Sequence, residues 1–266
     1  MKVLVIGAGN MGLAYAKGLL TSDFLTGSSL MIADTDPDKI QELKKESRFD
    51  VYSNLEDCVP KADIIFVAVK PFHSEELFNN IKHLMTPDQL VISIMAGTTI
   101  QTIKNGLGIT KVVRAMPNLP ALVGKGLTSF TASAEVSRLE LSTVENLLNT
   151  TGKSVRVGTE KEVDASTGIS GSGPAYVFYF MQSMMDAAKE MGFSDLESKT
   201  LVCQTFEGAV ELFNQNDLSP QTWMDRVASK GGTTRAALDS MESNNVNRLI
   251  IEAAFAAFNR AVELGK

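Results

Sequence analysis

Three glycines near the start of the chain are spaced to let a phosphate group reach the backbone. Gly7, Gly9 and Gly12 follow the β-branched run Val3–Ile6 and open Met11–Leu20, whose apolar residues repeat at helical spacing. In such a strand–turn–helix the first glycine permits a tight turn and the second admits a pyrophosphate. The third lets the helix lie close to the strand, and the pyrophosphate binds N–H groups at the helix N-terminus. The pattern predicts a dinucleotide site made by Gly7, Ala8, Gly9, Asn10, Met11 and Gly12.

Asp34 indicates how the ribose of that dinucleotide is recognised. It follows Gly12 by 22 residues, where an acidic side chain accepts a hydrogen bond from the ribose 2′-hydroxyl. A carboxylate there would repel the 2′-phosphate of NADPH, and the segment "ADTDPDK" has no arginine to receive that phosphate. The sequence therefore favours NADH. The alternative is that Asp34 only caps the following turn, in which case NADPH remains open.

Composition excludes several classes of protein. The net charge is −6 and no long basic run occurs, which argues against a nucleic-acid partner. Cys58 and Cys203 are isolated, as in a cytoplasmic protein with reduced thiols. The two histidines, His73 and His83, form no metal-ligand or Ser-His-Asp pattern. The chain is therefore not expected to bind a metal. No signal-peptide pattern begins the chain, and no apolar run reaches the roughly 20 residues that a membrane helix needs, so no membrane partner is expected.

The order of secondary-structure patterns predicts two domains. Buried-strand patterns such as Leu30–Ala33, Asp63–Val69 and Leu90–Ile94 alternate with helical patterns up to about residue 157. This alternation is typical of an α/β fold, here a Rossmann-type, doubly wound, mostly parallel sheet over residues 1–158. Residues 159–266 contain no convincing strand and are predicted to form an all-helical domain. Helical segments such as "LIIEAAFAAF" are apolar on more than one face, which favours a homo-oligomer interface over a tightly packed monomer core.

A second glycine-rich turn, "SKGGTT" at 229–234, is suited to a carboxylate. It leads into a helical pattern, with Thr233 or Thr234 as the expected N-cap. Free N–H groups at this helix start, with the Ser229 and threonine hydroxyls, would form an anion cradle. The predicted substrate-binding residues are Ser229, Gly231, Gly232, Thr233 and Thr234. The alternative is an ordinary helix cap without a ligand.

Thr167 lies in the small-residue segment "STGISGSGPA". Gly168, Gly171 and Gly173 remove side chains from one surface, so that a nicotinamide or a partner helix can approach. Pro174 either occupies the first turn of a helix or kinks a longer one. The Thr167 hydroxyl either acts on a ligand or bonds back to its own helix.

These segments together resemble the pyrroline-5-carboxylate reductase family along essentially the whole chain. The matching motifs are "GAGNMG", "VAVKP" (67–71), "MPNLPALVGKG" (116–126), "DASTGISGSGPAY" (164–176) and "VASKGGTTRAALDSME" (227–242). The resemblance implies reduction of 1-pyrroline-5-carboxylate to L-proline with NADPH or NADH. It also implies an all-α domain that binds substrate and intertwines in a homodimer, and a possible pentamer of dimers. It places Thr167 at the imine nitrogen, as the candidate catalytic residue and a hydrogen-bond or proton donor, and Asn54 on the adenosine side.

Strand ends complete the predicted cofactor site. Ligands of open α/β sheets bind outside the carboxyl ends of the strands. The residue before a proline is held extended, so the backbone leading to Pro71 could line the nicotinamide ribose. The remaining predicted cofactor residues are Ala68, Val69, Lys70, Pro71, Met116 and Asn118.

Two alternative functions share this fold. A 3-hydroxyacid dehydrogenase needs a base to take the alcohol proton, and in that class a lysine follows the glycine pattern. The corresponding residue here is Val177, which cannot act as a base. A non-catalytic NAD(P)-sensing protein could lose the anion cradle, whereas Ser229, Gly231 and Thr234 are present. Imine reduction needs no strong base, which fits a chain with two histidines.

Overall fold

The computed structural model describes residues 1–22, 25, 30–45, 48 and 50–264. Within those residues, the strands are β1 Val3–Ile6, β2 Leu30–Ala33, β3 Asp50–Tyr52, β4 Ile64–Val67, β5 Leu90–Ser93, β6 Val112–Met116, β7 Gly126–Ala132 and β8 Gly152–Arg156. The helices are α1 Asn10–Thr21, α2 Pro37–Lys45, α3 Ser74–Ile81, α4 Ile100–Leu107, α5 Arg138–Asn149, α6 Glu160–Ser166, α7 Gly173–Glu190, α8 Asp195–Asn214, α9 Pro220–Val227, α10 Thr233–Ser243 and α11 Val246–Leu264.

The strands form one twisted sheet in the order β3-β2-β1-β4-β5-β6-β7-β8. All neighbours are parallel except β6 and β7, which are antiparallel. The register places Ile6 opposite both Ala33 and Val67. The segments that follow β1, β2 and β4 therefore leave the sheet at one level. The strand order reverses between β1 and β4, the kind of point where open α/β sheets bind ligands. The predicted α/β fold with a mostly parallel sheet is confirmed.

Burial on both faces explains why these strands read as continuous apolar runs. Every residue of β1, β2, β4 and β5 is buried, as in parallel sheets covered by helices. Alternate residues point to two separate cores, since side chains alternate across a strand. Val3, Val5 and Phe66 pack with Tyr15 and Leu19 of α1. The opposite core contains Leu4, Ile6, Ile65, Val67, Leu77, Phe78 and Ile103.

The chain divides into two compact units. Met1–Ser172 groups with the C-terminal residues from Ala256 onward, and Gly173–Phe255 forms the second unit. The change from sheet to helices falls between β8 and α6, close to the predicted boundary after residue 158. Helix α6 nevertheless groups with the sheet, because its side chains bond to β6 and β7. The last two residues of the predicted helical domain, 265 and 266, lie outside the described residues.

The second unit is helical and carries a large apolar surface. Helix α7 packs along α8, and no residue of α7 is buried within the single chain. The apolar side chains left exposed in this unit include Val177, Phe178, Tyr179, Leu201, Phe213, Leu249, Ile250, Ile251 and Phe255. Exposed apolar area of this extent is typical of a surface that another protein chain covers. Over the described residues, no helix has the length and apolar character to cross a membrane.

Candidate active site

The glycine turn after β1 lies between the ends of two other strands. The N–H of Gly7 donates to the carbonyl of Ala33 at 2.8 Å, and the N–H of Ala68 donates to the carbonyl of Ile6 at 2.8 Å. Gly7 has φ +103°, a left-handed conformation that favours glycine. A Cβ there would also lie 2.8 Å from the carbonyl oxygen of Ala68. The turn therefore sits at the reversal of strand order.

Gly9 and Gly12 differ in what a side chain would meet. A Cβ on Gly12 would overlap the carbonyl oxygen of Gly7, so this glycine lets α1 start directly on the turn. A Cβ on Gly9 would meet no described atom within 4 Å. Gly9 is the N-cap of α1, and no side chain among the described residues caps that helix. The N–H groups of the first turn, from Asn10 onward, are thus available to an anion in front of Gly9. This arrangement fits the pyrophosphate of a dinucleotide.

Asp34 lies beside the glycine turn with its carboxylate largely buried. One oxygen, Oδ2, accepts a hydrogen bond from the N–H of Ala8 at 2.6 Å, and Oδ1 accepts one from the N–H of Asp36 at 2.9 Å. The ammonium of Lys39 lies 3.6 Å from Oδ2. The side chain is 10% exposed, and a carboxylate has further lone pairs for a ribose hydroxyl. The segment has no arginine, but the Lys39 ammonium provides a cation beside the carboxylate, which the sequence prediction did not include.

The end of β4 has the extended backbone that its proline predicts. Lys70 has φ −68° and ψ 142°, and Pro71 begins a 3-10 turn that ends at His73. Ala68 and Val69 are half-buried, and Lys70 is exposed. Asn54 lies on another loop, after β3, where its Oδ1 accepts from the N–H of Glu56 at 3.1 Å. The turn role considered for Asn54 is therefore present, and its contact with adenosine stays a prediction.

Helix α6 is fixed to the sheet by a buried guanidinium that the sequence did not reveal. Arg114 on β6 is 3% exposed. Its Nη1 donates to Glu160 Oε1 at 3.1 Å, and its Nη2 forms a short hydrogen bond with Asp164. Glu160 Oε1 also accepts from the N–H of Ile100 at 2.9 Å, so the cluster joins β6, α4 and α6. Asp164 lies on α6 three residues before Thr167, which directly follows that helix.

Thr167 begins a π-helical stretch that continues to Gly171. The N–H of Ser172 donates to the carbonyl of Thr167 at 2.8 Å, and the Thr167 hydroxyl donates to the carbonyl of Val163 at 3.2 Å. A Cβ on Gly171 would lie 3.2 Å from Cε of Met116, at the end of β6. Sequence reasoning missed the π-helix, a feature that often marks functional sites. Pro174 lies in the first turn of α7, one of the two arrangements considered for it.

Asn118 follows β6 and contacts the polypeptide with both ends of its side-chain amide. Its Oδ1 accepts from the N–H of Leu127 at 2.8 Å, and its Nδ2 donates to the carbonyl of Ser170 at 3.0 Å. The side chain expected to contact the cofactor thus joins β7 to the π-helical stretch.

The turn at 229–234 has the predicted form, but its N-cap differs. Helix α10 begins at Thr233 and its N-cap is Gly232, so the expectation that Thr233 or Thr234 is the cap is wrong. The reason is the left-handed turn before it: Gly231 has φ +73°, and the N–H of Gly232 donates to the carbonyl of Ser229 at 3.0 Å. Among the described residues no side chain caps α10, which leaves its first N–H groups available. Both threonines lie in the first turn, beside those groups.

His73 ends the turn that Pro71 begins, and the Cys58 thiol donates to the carbonyl of Asn54 at 3.7 Å. His73 contacts the ring of Phe72, and Cys58 is buried. Burial raises the pKa of the Cys58 thiol to about 11, so the thiol is protonated and unreactive at neutral pH. Across the described ranges, no three His, Cys, Asp or Glu side chains gather as a metal site.

The sheet, the glycine turn at its reversal point and the acid at the end of β2 define a dinucleotide-binding α/β protein. Residues 2–97 match the family model described as "NADP oxidoreductase coenzyme F420-dependent". Residues 160–264 match the model described as "Pyrroline-5-carboxylate reductase dimerisation".

Similarity to individual proteins extends over the whole chain. A pyrroline-5-carboxylate reductase from Pseudomonas aeruginosa is 32% identical, covering 100% of this chain and 97% of the relative. The solved structure of a pyrroline-5-carboxylate reductase from Coxiella burnetii has a TM-score of 0.91 at 30% identity, covering 99% of this chain and 98% of that one. A pyrroline carboxylate reductase from Plasmodium falciparum, solved with NADP bound, has a TM-score of 0.88 at 32% identity, with coverage of 100% and 98%. The chain belongs to the pyrroline-5-carboxylate reductase family.

Proposed function

We propose that the protein reduces 1-pyrroline-5-carboxylate to L-proline with a hydride from NADPH or NADH. The observation that carries the proposal is the glycine turn between β1 and β4, which leads into α1 without a side-chain cap from the described residues. The similarity of the whole chain to these reductases supports the reaction. NADP is bound in the similar Plasmodium falciparum structure. The nicotinamide, when bound, supplies the hydride that the imine carbon receives.

The first unit holds the cofactor in this proposal. Gly7 and Gly9 would let the pyrophosphate approach, and the first-turn N–H groups of α1 would hold it. The Asp34 carboxylate would accept a hydrogen bond from a ribose hydroxyl, and the nearby Lys39 ammonium reduces the negative potential around that carboxylate. The backbone of 68–71 and the Met116 side of β6 line the nicotinamide end. Functionally we divide the chain after residue 158, with the cofactor domain before that point and the dimerisation and substrate domain after it.

Thr167 acts at the imine nitrogen. Because its hydroxyl proton is donated to the carbonyl of Val163, its oxygen has lone pairs free to accept an N–H. The partner is the N–H of the protonated imine, which is the electrophilic form and becomes the amine of the product. In this role Thr167 orients the C=N bond, and no strong base is required since the reduction removes no proton from the substrate.

The turn at 229–234 binds the substrate carboxylate. The N–H groups at the start of α10 are uncapped by the described side chains, and the helix dipole favours an anion there. A Cβ on Gly232 would lie 2.5 Å from the Ser229 hydroxyl, so the hydroxyl lies directly beside the helix start. Anchoring the carboxylate restricts the ring to few orientations, which is the main catalytic requirement of this reaction.

Assembly and location extend the proposal. The match to the dimerisation model and the exposed apolar faces of α7, α8 and α11 support a homodimer. Assembly of five dimers and a cytoplasmic location rest on the family resemblance and on the isolated cysteines, and both stay predictions. Light scattering of the purified protein distinguishes a dimer from a decamer.

A steady-state assay tests the activity. Nicotinamide absorbance is followed with NADH and with NADPH, each with 1-pyrroline-5-carboxylate and with its six-membered homologue. The proposal expects turnover of the five-membered imine with at least one coenzyme. Absence of turnover with both coenzymes favours the sensing protein, and faster turnover of the larger ring reassigns the substrate.

A further inference from the structure

The carbonyl of Ser170 lacks the backbone donor, four residues later, that a continuous α-helix would provide. In an α-helix the N–H four residues later donates to each carbonyl. Four residues after Ser170 is Pro174, which has no N–H. The bond comes instead from Nδ2 of Asn118, which lies 52 positions earlier in the chain, at 3.0 Å. A half-buried carbonyl is thus satisfied by a side chain of another element.

The partners of Asn118 fix which way its amide points. The N–H of Leu127 can only donate, so it faces Oδ1, at 2.8 Å. The carbonyl of Ser170 can only accept, so it faces Nδ2. Asparagine supplies a donor and an acceptor on one short planar group. Aspartate at this position would keep the acceptor for Leu127 and lose the donor for Ser170.

Thr167 lies between two attachments to the sheet. Ser166, just before it, forms a short hydroxyl–hydroxyl bond with Ser129 of β7. Ser170, three residues after it, is held by Asn118. Between these points the chain is π-helical, a less stable backbone form than the α-helix. The position of the Thr167 hydroxyl therefore depends on both attachments.

We propose that Asn118 is a positioning residue for imine reduction, donating to Ser170 the hydrogen bond that Pro174 cannot supply and so holding Thr167 in place. This replaces the direct cofactor contact expected for its side chain, and it rests on the function proposed for Thr167. Asn118 touches neither reacting atom in this role. Its effect reaches the substrate through the π-helical stretch.

Kinetics and cofactor binding separate the two roles of Asn118. Three variants of the dimer are compared with the parent: Asn118→Ala, Asn118→Asp and the control Asn105→Ala. The Asn105 side chain is exposed on α4. We expect kcat to fall about tenfold or more in both Asn118 variants, because small displacements of a reacting geometry are costly. The NADPH Kd, measured by fluorescence, should change less than about twofold, which is under 0.5 kcal/mol. A higher Kd with unchanged kcat would overturn the proposal in favour of a cofactor contact.

A second substitution tests the link to Pro174. Pro174→Ala provides an N–H four residues after Ser170, so Asn118→Ala should lose less kcat in that background than in the parent. Equal losses in both backgrounds would overturn the proposal. The aspartate variant keeps the bond to Leu127, so a folding defect limited to Asn118→Ala leaves the test intact.

Failure of the Thr167 role has a different signature. If Thr167→Val retains full kcat, the function proposed for that hydroxyl is wrong. In that case amide hydrogen exchange of residues 167–172 still measures the coupling between residues 118 and 174. Asn118→Ala should raise the exchange rate in the parent chain, and it should raise the rate less in a chain that also carries Pro174→Ala. Unchanged exchange in Asn118→Ala contradicts the positioning role itself.

Discussion

Arg114 on β6 and Asp164 on α6 form a hydrogen-bonded ion pair whose guanidinium is 3% exposed. Glu160 binds the same guanidinium, so two carboxylates of one helix share a buried cation. The pair determines where α6 lies on the sheet, and Thr167 follows Asp164 by one turn.

Arg114→Met should reduce the free energy of unfolding by about 3 kcal/mol, the lower end of the range for breaking a buried ion pair. The lower end applies because the side chains of Glu160 and Asp164 are 34% and 16% exposed. Urea unfolding measures the change. The control is Glu252→Gln, which breaks an exposed pair with Arg248 and should cost less than about 1 kcal/mol. Equal effects of the two substitutions would show that the buried cluster contributes no more than a surface pair.

Gly9→Ala and Gly12→Ala should have separable effects. A methyl group on Gly9 would have no described atom within 4 Å, but it would block the proposed approach of the pyrophosphate. We expect normal thermal stability and a cofactor Kd raised at least about tenfold, equivalent to 1.4 kcal/mol. A methyl group on Gly12 overlaps the carbonyl of Gly7, so this variant should lose stability as well. Calorimetry with and without NADPH distinguishes the two results. Unchanged affinity in Gly9→Ala would place the pyrophosphate elsewhere.

Local patterns predicted the parts of this molecule that local chemistry decides. The buried apolar runs are strands and the glycine-spaced segment is a turn before α1, as predicted, because strand burial and turn geometry depend on residues adjacent in sequence. The predicted N-cap of α10 was wrong by one or two residues because the left-handed Gly231 places the N-cap at Gly232, before the helix starts at Thr233. Residues that depend on distant partners could not be found this way. Arg114 and Asn118 act through contacts with residues about 50 positions away.

Asp34→Ser should shift coenzyme preference towards NADPH. The substitution removes the charge that repels a 2′-phosphate and takes away one of the two carboxylates beside Lys39, leaving Asp36 at 3.9 Å. The kcat/KM ratio for NADPH over NADH should rise by about tenfold or more, the equivalent of one surface charge contact of roughly 1.4 kcal/mol. Lys39→Ala is the matched control, and it should lower the ratio. A parent enzyme that already prefers NADPH contradicts the repulsion argument.

Alkaline stability should depend on Cys58. Burial raises the pKa of its thiol to about 11 from an ordinary value of 9.0, so between these values the folded chain holds a proton that the unfolded chain has lost. Stability is therefore intact below pH 9 and falls as the pH rises towards 11, by up to about 3 kcal/mol. Burial also raises the pKa of Tyr15, but that contribution cancels when the parent is compared with Cys58→Ala. The variant should show a shallower decline in urea unfolding from pH 8 to 11. Parallel curves would mean that the folded thiol ionises normally.

Thr234→Ala should act on the substrate and leave the cofactor unaffected. The residue lies in the first turn of α10, where its hydroxyl and the uncapped N–H groups are available to a carboxylate. Loss of one hydrogen bond to a charged group costs about 1.5–3 kcal/mol, so the KM for 1-pyrroline-5-carboxylate should rise about 10- to 100-fold. The KM for NADPH should stay near that of the parent. Ser243→Ala, at the opposite end of the same helix, changes a hydroxyl that bonds only to the carbonyl of Asp239 among the described residues, and it should alter neither constant. An unchanged substrate KM in Thr234→Ala would exclude this hydroxyl from the carboxylate site, because truncation leaves the N–H groups of the turn in place.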